Sequence, residues 1–232
     1  MKISTTYPII ILFTISLICI QGSFAQEAGK VRIHGIYMMP YGHDAQDVSR
    51  AGFGIGGNVA YPLPSTRGAL AGIAGLEYVN LLSETIEFTD YVGGVPFPVS
   101  QQTSQGMARL YLGTEFGPHN ARALFQPHAG ADLALVVYWI STDIVIENEN
   151  DPNNNVSKNK SGNAKAVFGF DLTMGLDMKF WDQVSIDGGI KYLKSFSLPQ
   201  QLGEGAVTMY PQYFQVYLGA GFSFDAFSSH SE

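Results

Sequence analysis

Residues Val167 to Phe180 read VFGFDLTMGLDMKF. Phe168, Phe170, Leu172, Met174, Leu176, Met178 and Phe180 take every second position, and Val167, Gly169, Asp171, Thr173, Gly175, Asp177 and Lys179 lie between them. Successive side chains of an extended chain point to opposite faces, so this spacing predicts a strand with one continuous apolar face. The fold then turns on which medium that face meets, a protein interior or lipid.

The same alternation recurs in eight segments in all: 31–40, 51–61, 69–79, 105–117, 125–140, 165–180, 183–197 and 212–224. The second puts Phe53, Ile55, Val59 and Tyr61 opposite Gly52, Gly54, Gly56, Asn58 and Ala60; the last puts Phe214, Val216, Leu218, Ala220, Phe222 and Phe224 opposite Tyr213, Gln215, Tyr217, Gly219, Gly221 and Ser223. None has a 3.6-residue period, which predicts an all-β chain. The connectors Pro62–Gly68, Pro118–Leu124 and Trp181–Asp182 are short and alternate with longer ones near 41–50, 80–104, 141–164 and 198–211. That alternation places the short turns at one end, the layout of an antiparallel up-and-down transmembrane β-barrel of about eight strands.

The N-terminus carries Lys2, an apolar run from Pro8 to Ile20 and the small-residue site Ser23-Phe24-Ala25, so residues 1–25 read as a secretory signal peptide cleaved after Ala25. The run is about 13 residues, short of the roughly 20 a spanning helix needs. Cys19, the single cysteine, falls inside it after the bulky Ile18, which leaves no thiol for a disulfide or a cysteine metal site in residues 26–232. Those residues read as one barrel domain. Charged residues are 14% of the chain, where about 25% is usual, and a water-facing surface of this size would carry more. A net charge of −7 with thirteen scattered Lys and Arg excludes nucleic acid as a partner.

The polar faces decide between lipid and water. They carry glycines and single charges of both signs rather than runs of Lys and Glu. If they point inward, the lumen holds Arg32, Arg109, Lys179 and Lys191 with Glu77, Glu115, Asp132, Asp171, Asp177 and Asp187, and with His34 and His128 nearby. Buried charges must be paired, and eight strands leave a lumen only wide enough for side chains, so a packed, closed interior is expected. Tyr61, Phe116, Phe180, Trp181, Phe222 and Phe224 at the short-turn end, and Tyr78 with Trp139 at the other, fit interfacial aromatic girdles. The apolar faces are therefore expected to meet lipid; the competing reading is a soluble sandwich or lipocalin-like carrier with these aromatics in its core.

With AGFGIGGNVAY at 51–61 and YFQVYLGAGFSF at 213–224, the chain resembles the small eight-stranded outer-membrane β-barrels of the OmpA, OmpX and opacity-protein group. The resemblance implies an outer-membrane location in a Gram-negative type of bacterium, contact with membrane lipids and with the outer-membrane assembly machinery, and a monomer. That machinery reads a C-terminal aromatic; Phe224 is followed by Asp225 to Glu232, so Phe224 and Phe227 both stand as the signal.

Other motifs weigh less. Gly52, Gly54 and Gly57 match a dinucleotide-binding spacing, but they lie inside a strand instead of opening a helix. Glu147, Glu149, Asp151 and Asn153 could offer oxygens to calcium, yet the run lacks the glycine turn and closing glutamate of an EF-hand and reads as a solvated loop. His128 and Asp132 share a face, as a lipid hydrolase would need, but no serine is placed with them by a motif. His34, His43 and His119 are dispersed, so no metal site and no cofactor is expected. The reading is a non-enzymatic scaffold, adhesin-like through its external loops, with an apolar-ligand carrier or a lipid-modifying enzyme as alternatives. The candidate contact surface is 80–104, with Phe88, Tyr91 and Phe97; the same stretch reads equally as two strands running on past the membrane.

Overall fold

The computed structural model describes residues 28–46, 49–63, 66–92, 95–119, 123–146, 156–161, 164–181, 183–202 and 205–225. The expected signal peptide with Cys19, the oxygen-rich run Glu147 to Asn153 and Phe227 lie outside these residues. The described chain forms β1 Ala28–Tyr41, a short helix α1 His43–Gln46, β2 Gly52–Pro62, β3 Leu70–Val92, β4 Val95–Phe116, β5 Phe125–Ile146, β6 Val156–Ser161, β7 Lys165–Lys179, β8 Val184–Ser195, β9 Leu198–Leu202, β10 Gly205–Met209 and β11 Gln212–Asp225.

Eight of these strands, β1, β2, β3, β4, β5, β7, β8 and β11, pair antiparallel in that order, and β1 pairs with β11 from Ala28↔Asp225 to Tyr41↔Gln212. The sheet thus closes on itself as an up-and-down barrel, and closure leaves its wall without edges. The short turns gather at one end. In the turn from β2 to β3, Arg67 and Gly68 take φ values of 54° and 72°, and Thr66 Oγ1 donates to the Leu63 carbonyl at 2.8 Å.

The period-two pattern fixes which face looks out. Along β7, Phe168, Leu172, Leu176 and Phe180 are exposed while Val167, Gly169, Asp171, Thr173 and Asp177 are buried. Every barrel strand repeats this, with Phe53 73%, Leu133 66% and Leu218 65% exposed. Soluble monomers rarely expose an apolar patch beyond a few hundred Å². A belt of large apolar side chains around the whole circumference needs lipid as its solvent. From Phe168 to Phe180 the strand spans about 40 Å, or about 28 Å of height at a tilt near 45°, close to a hydrocarbon core of about 30 Å. At the far end of this belt from the short turns, Tyr78 stacks on Trp139 at 5.5 Å between ring centroids.

Above the belt the structure departs from a simple barrel. At Asn80/Leu82 a bulge interrupts the β3–β4 register, at the level where β2 ends opposite Asn80 through Phe53. Beyond it β3 and β4 stay paired to Val92↔Val95, β5 follows β4 up to Val99↔Ile146, and β6 adds to β5 from Ser141↔Ser161 to Ile146↔Val156. The stretch 80–104 is thus two strands running on past the belt, paired to each other. The loop expected at 141–164 contains a strand, β6, because the extended β5 offers unpaired backbone that overrides the low strand propensity of Asn and Lys. The connector at 198–211 holds a second hairpin, β9–β10.

A charge on the lipid face tests this orientation. Leu133→Arg is expected to cost about 2–4 kcal/mol near the bilayer midplane. The readout is a lowered denaturant midpoint for unfolding from phospholipid vesicles; an unchanged midpoint would contradict a lipid-facing Leu133.

Candidate functional site

The inward faces build two stacked layers. Toward the short turns the lumen is charged. Lys30 Nζ donates to Asp177 Oδ2 at 2.7 Å and Gln126 Oε1 at 2.5 Å. Arg32 forks onto Glu115 through two hydrogen bonds of 2.7 Å, while its Nε lies 3.6 Å from Asp187 and 3.8 Å from Asp177. His128 Nε2 is 3.0 Å from the Tyr217 hydroxyl and 3.6 Å from Asp187.

At mid-height Glu77 is the hub. It accepts from Arg109 in a short hydrogen bond and from Lys191 Nζ at 2.9 Å, and His34 Nε2 lies 3.3 Å away. Arg109 also reaches Asp171 at 3.2 Å. Tyr111 lies under both cations, 4.2 Å from Lys191 Nζ and 5.1 Å from the Arg109 guanidinium carbon to the ring centroid. Bidentate and networked pairing of this kind is what lets desolvated charges persist. A cavity of only about 10 Å³, lined by Arg32, His34, Tyr111, Thr173, Lys191 and Tyr217 among others, remains between the two levels. That is room for about one water.

Glycines make space for these large side chains. Gly175 and Gly189 are paired across β7 and β8, and a Cβ on either would run into the Tyr217 hydroxyl; at Gly175 it would also strike His128. The two glycines form the slot that holds the His128–Tyr217 hydrogen bond.

Toward the long connectors the lumen turns apolar. Met38, Val79, Leu81, Met107, Val136, Leu193 and Tyr213 are buried in one cluster with Leu198 and Met209 of the β9–β10 hairpin and Ala45 of α1. Tyr138 and Ser195 share a hydrogen bond of 2.8 Å, and Asp44 Oδ2 accepts from the Tyr210 backbone N–H at 2.8 Å, tying helix to hairpin across the mouth.

Of the candidate lumenal residues, Arg32, His34, Glu77, Arg109, Glu115, His128, Asp132, Asp171, Asp177, Asp187 and Lys191 are all buried. Lys179 shares their face but is half-exposed at the short-turn rim. Lys30 takes a place that a strand starting at residue 31 leaves out; the alternation Lys30, Arg32, His34 was its signal in the sequence. Asp132 stands directly opposite Asp171 across β5–β7, and neither of its oxygens has a hydrogen-bond partner among the described residues. Four Lys and Arg side chains, Lys30, Arg32, Arg109 and Lys191, thus face six buried carboxylates.

Phe88 and Tyr91 lie far from this network, exposed on the extended β3, and Phe97 stands opposite Asp90 in β4. Among the described residues no group of three or more His, Cys, Asp or Glu is arranged to hold a metal ion.

No family model and no curated protein matches the sequence. Solved structures do match. Neisserial surface protein A aligns over 84% of this chain and 97% of its own, with a TM-score of 0.50 at 11% identity. The outer membrane protein OprG from Pseudomonas aeruginosa covers 89% of this chain and 100% of its own, with a TM-score of 0.44 at 12% identity. The closed eight-strand sheet and the match to Neisserial surface protein A give the chain the fold of the small eight-stranded outer-membrane barrels.

Two substitutions probe the network. Arg109→Met leaves Glu77 and Asp171 short of their shared cation and is expected to cost about 3–5 kcal/mol. Asp132→Asn removes a carboxylate that faces another carboxylate and leaves stability unchanged or higher. Denaturant midpoints in vesicles measure both; equal losses would show that the pairing does not govern the lumen. Gly175→Val should likewise lower the midpoint, by expelling Tyr217 from its slot.

Proposed function

We propose that this chain is a non-enzymatic outer-membrane scaffold that holds the paired β3–β6 extension outside the bilayer for contact with an extracellular partner. The observation that carries the reading is the position of Ile86, Phe88 and Tyr91. They are 51%, 45% and 68% exposed on a strand above the lipid belt, where neither a core nor lipid accounts for them. Aromatic side chains on a rigid support give contact area at small entropic cost, which is why recognition surfaces favour them. Phe97 belongs to the same hairpin and is included in the proposed surface.

The lumenal network has a structural role in this reading. His128 is buried and hydrogen-bonded to Tyr217 with Asp187 behind it. A hydrolase would need that imidazole beside a serine and an open path for a lipid. The apolar cluster under α1 and the β9–β10 hairpin fills the mouth, which also argues against a carrier cavity or a wide pore. Secretion across the inner membrane by the 1–25 signal peptide, and delivery to the bilayer by the outer-membrane assembly machinery, belong to the same proposal.

Deleting 84–102 tests it. The shortened protein should keep a barrel whose gel mobility changes on boiling, and binding of the bearing cells to host cells or matrix should fall to background. Binding at the level of the intact chain would overturn the role given to the hairpin.

A further inference from the structure

The extension has two open edges. Beyond the bulge, β3 pairs only with β4, since β2 reaches no higher than Phe53↔Asn80, so the backbone of 82–92 has no strand on its other side among the described residues. At the far margin β6 pairs, among the described residues, only with β5. An unpaired edge carries a row of N–H and C=O groups that can accept another strand.

The two edges are complementary in charge. The segment 81–92, LLSETIEFTDYV, has Glu84, Glu87 and Asp90 and no Lys or Arg; β6, VSKNKS, has Lys158 and Lys160 and no Asp or Glu. They are also complementary in direction. Barrels in one bilayer share an orientation, and β3 rises from the membrane while β6, two antiparallel steps beyond β4, descends toward it. A β3 edge beside a neighbour's β6 edge is therefore antiparallel. Two β3 edges brought together in the same bilayer would be parallel, with carboxylates against carboxylates.

We infer that copies of this chain associate within the membrane by pairing the acidic β3 edge of one with the basic β6 edge of the next. This goes beyond the partner contact proposed above and does not depend on it. The contact is heterologous, so each copy keeps one edge free, and association continues into rings or rows. It replaces the isolated monomer that the family resemblance implies with barrels that are closed individually and linked through their external sheets.

The test uses the full chain purified from outer membranes, reconstituted into phosphatidylcholine vesicles and treated with a carbodiimide, which joins a Lys amine to a carboxylate it touches. The intact chain should give a ladder of dimer, trimer and higher bands that weakens several-fold at high salt. A variant with Lys158→Gln and Lys160→Gln, and another with Glu84→Gln, Glu87→Gln and Asp90→Asn, should each give monomer alone, while both keep the heat-dependent gel mobility of a folded barrel. Their mixture should give a dimer and nothing larger, because it holds only one complementary pair of edges. A ladder from either variant alone, no ladder from the intact chain, or no dimer from the mixture would each overturn the inference. Cell binding is not read in this experiment, so its outcome is separate from that of the hairpin deletion.

Discussion

Closure of eight strands leaves a space that side chains fill, and the charges placed there pair with one another, Asp132 opposite Asp171 being the exception. The Glu77 hub, with Arg109, Lys191 and His34 around it, is the clearest consequence. A cavity beside Arg32, Lys191 and Tyr217 leaves room for about one water. The glycines follow from the same limit, since a lumen this narrow admits Tyr217 only where Gly175 and Gly189 give up their side chains. Buried ion pairs contribute less to net stability than their number suggests, because desolvation offsets much of the attraction. What they impose is registry: Arg32 meets Glu115, and Glu77 meets Arg109, only when the strands are correctly staggered.

The lumen is also divided along its axis. The charged layer lies toward the short turns, and the apolar layer of Met38, Met107, Val136 and Tyr213 lies toward the long connectors under α1 and the β9–β10 hairpin. The molecule thus has lipid-facing apolar side chains around its waist and a second, water-excluding apolar cluster inside its upper half. The interior is filled on both levels, and the extension of β3 to β6 stands above the belt with Ile86, Phe88 and Tyr91 exposed.

Much of this was legible in the sequence because the period of a strand is two and a one-residue slip would reverse every face. Phe168 to Phe180 showed which residues share a face, the content of the polar faces turned those faces inward, and counting in twos from Arg32, Glu77 or Asp171 reached the inward positions. The upper lumenal layer was not legible in that way. Met38, Val79, Met107 and Leu193 sit on the inward face, but as apolar residues they look like breaks in a polar face, and only closure shows that they meet one another. Pairings such as Lys30 with Asp177 depend on stagger around the whole barrel, which no single segment encodes. β6 was missed because Asn, Lys and Ser signal a loop, and its strand exists only where the extended β5 supplies an edge.

The claim on which the rest depends is that the apolar faces meet acyl chains. Trp139 and Trp181, the two tryptophans of the chain, lie on that outward side near opposite ends of the belt. The direct measurement is tryptophan fluorescence of the protein in vesicles whose lipids carry bromine on their acyl chains, compared with unbrominated vesicles of the same composition. Strong quenching that disappears on unfolding is the result this account predicts. Emission indifferent to bromine, from a folded protein, would mean that these faces are turned away from lipid and would contradict it.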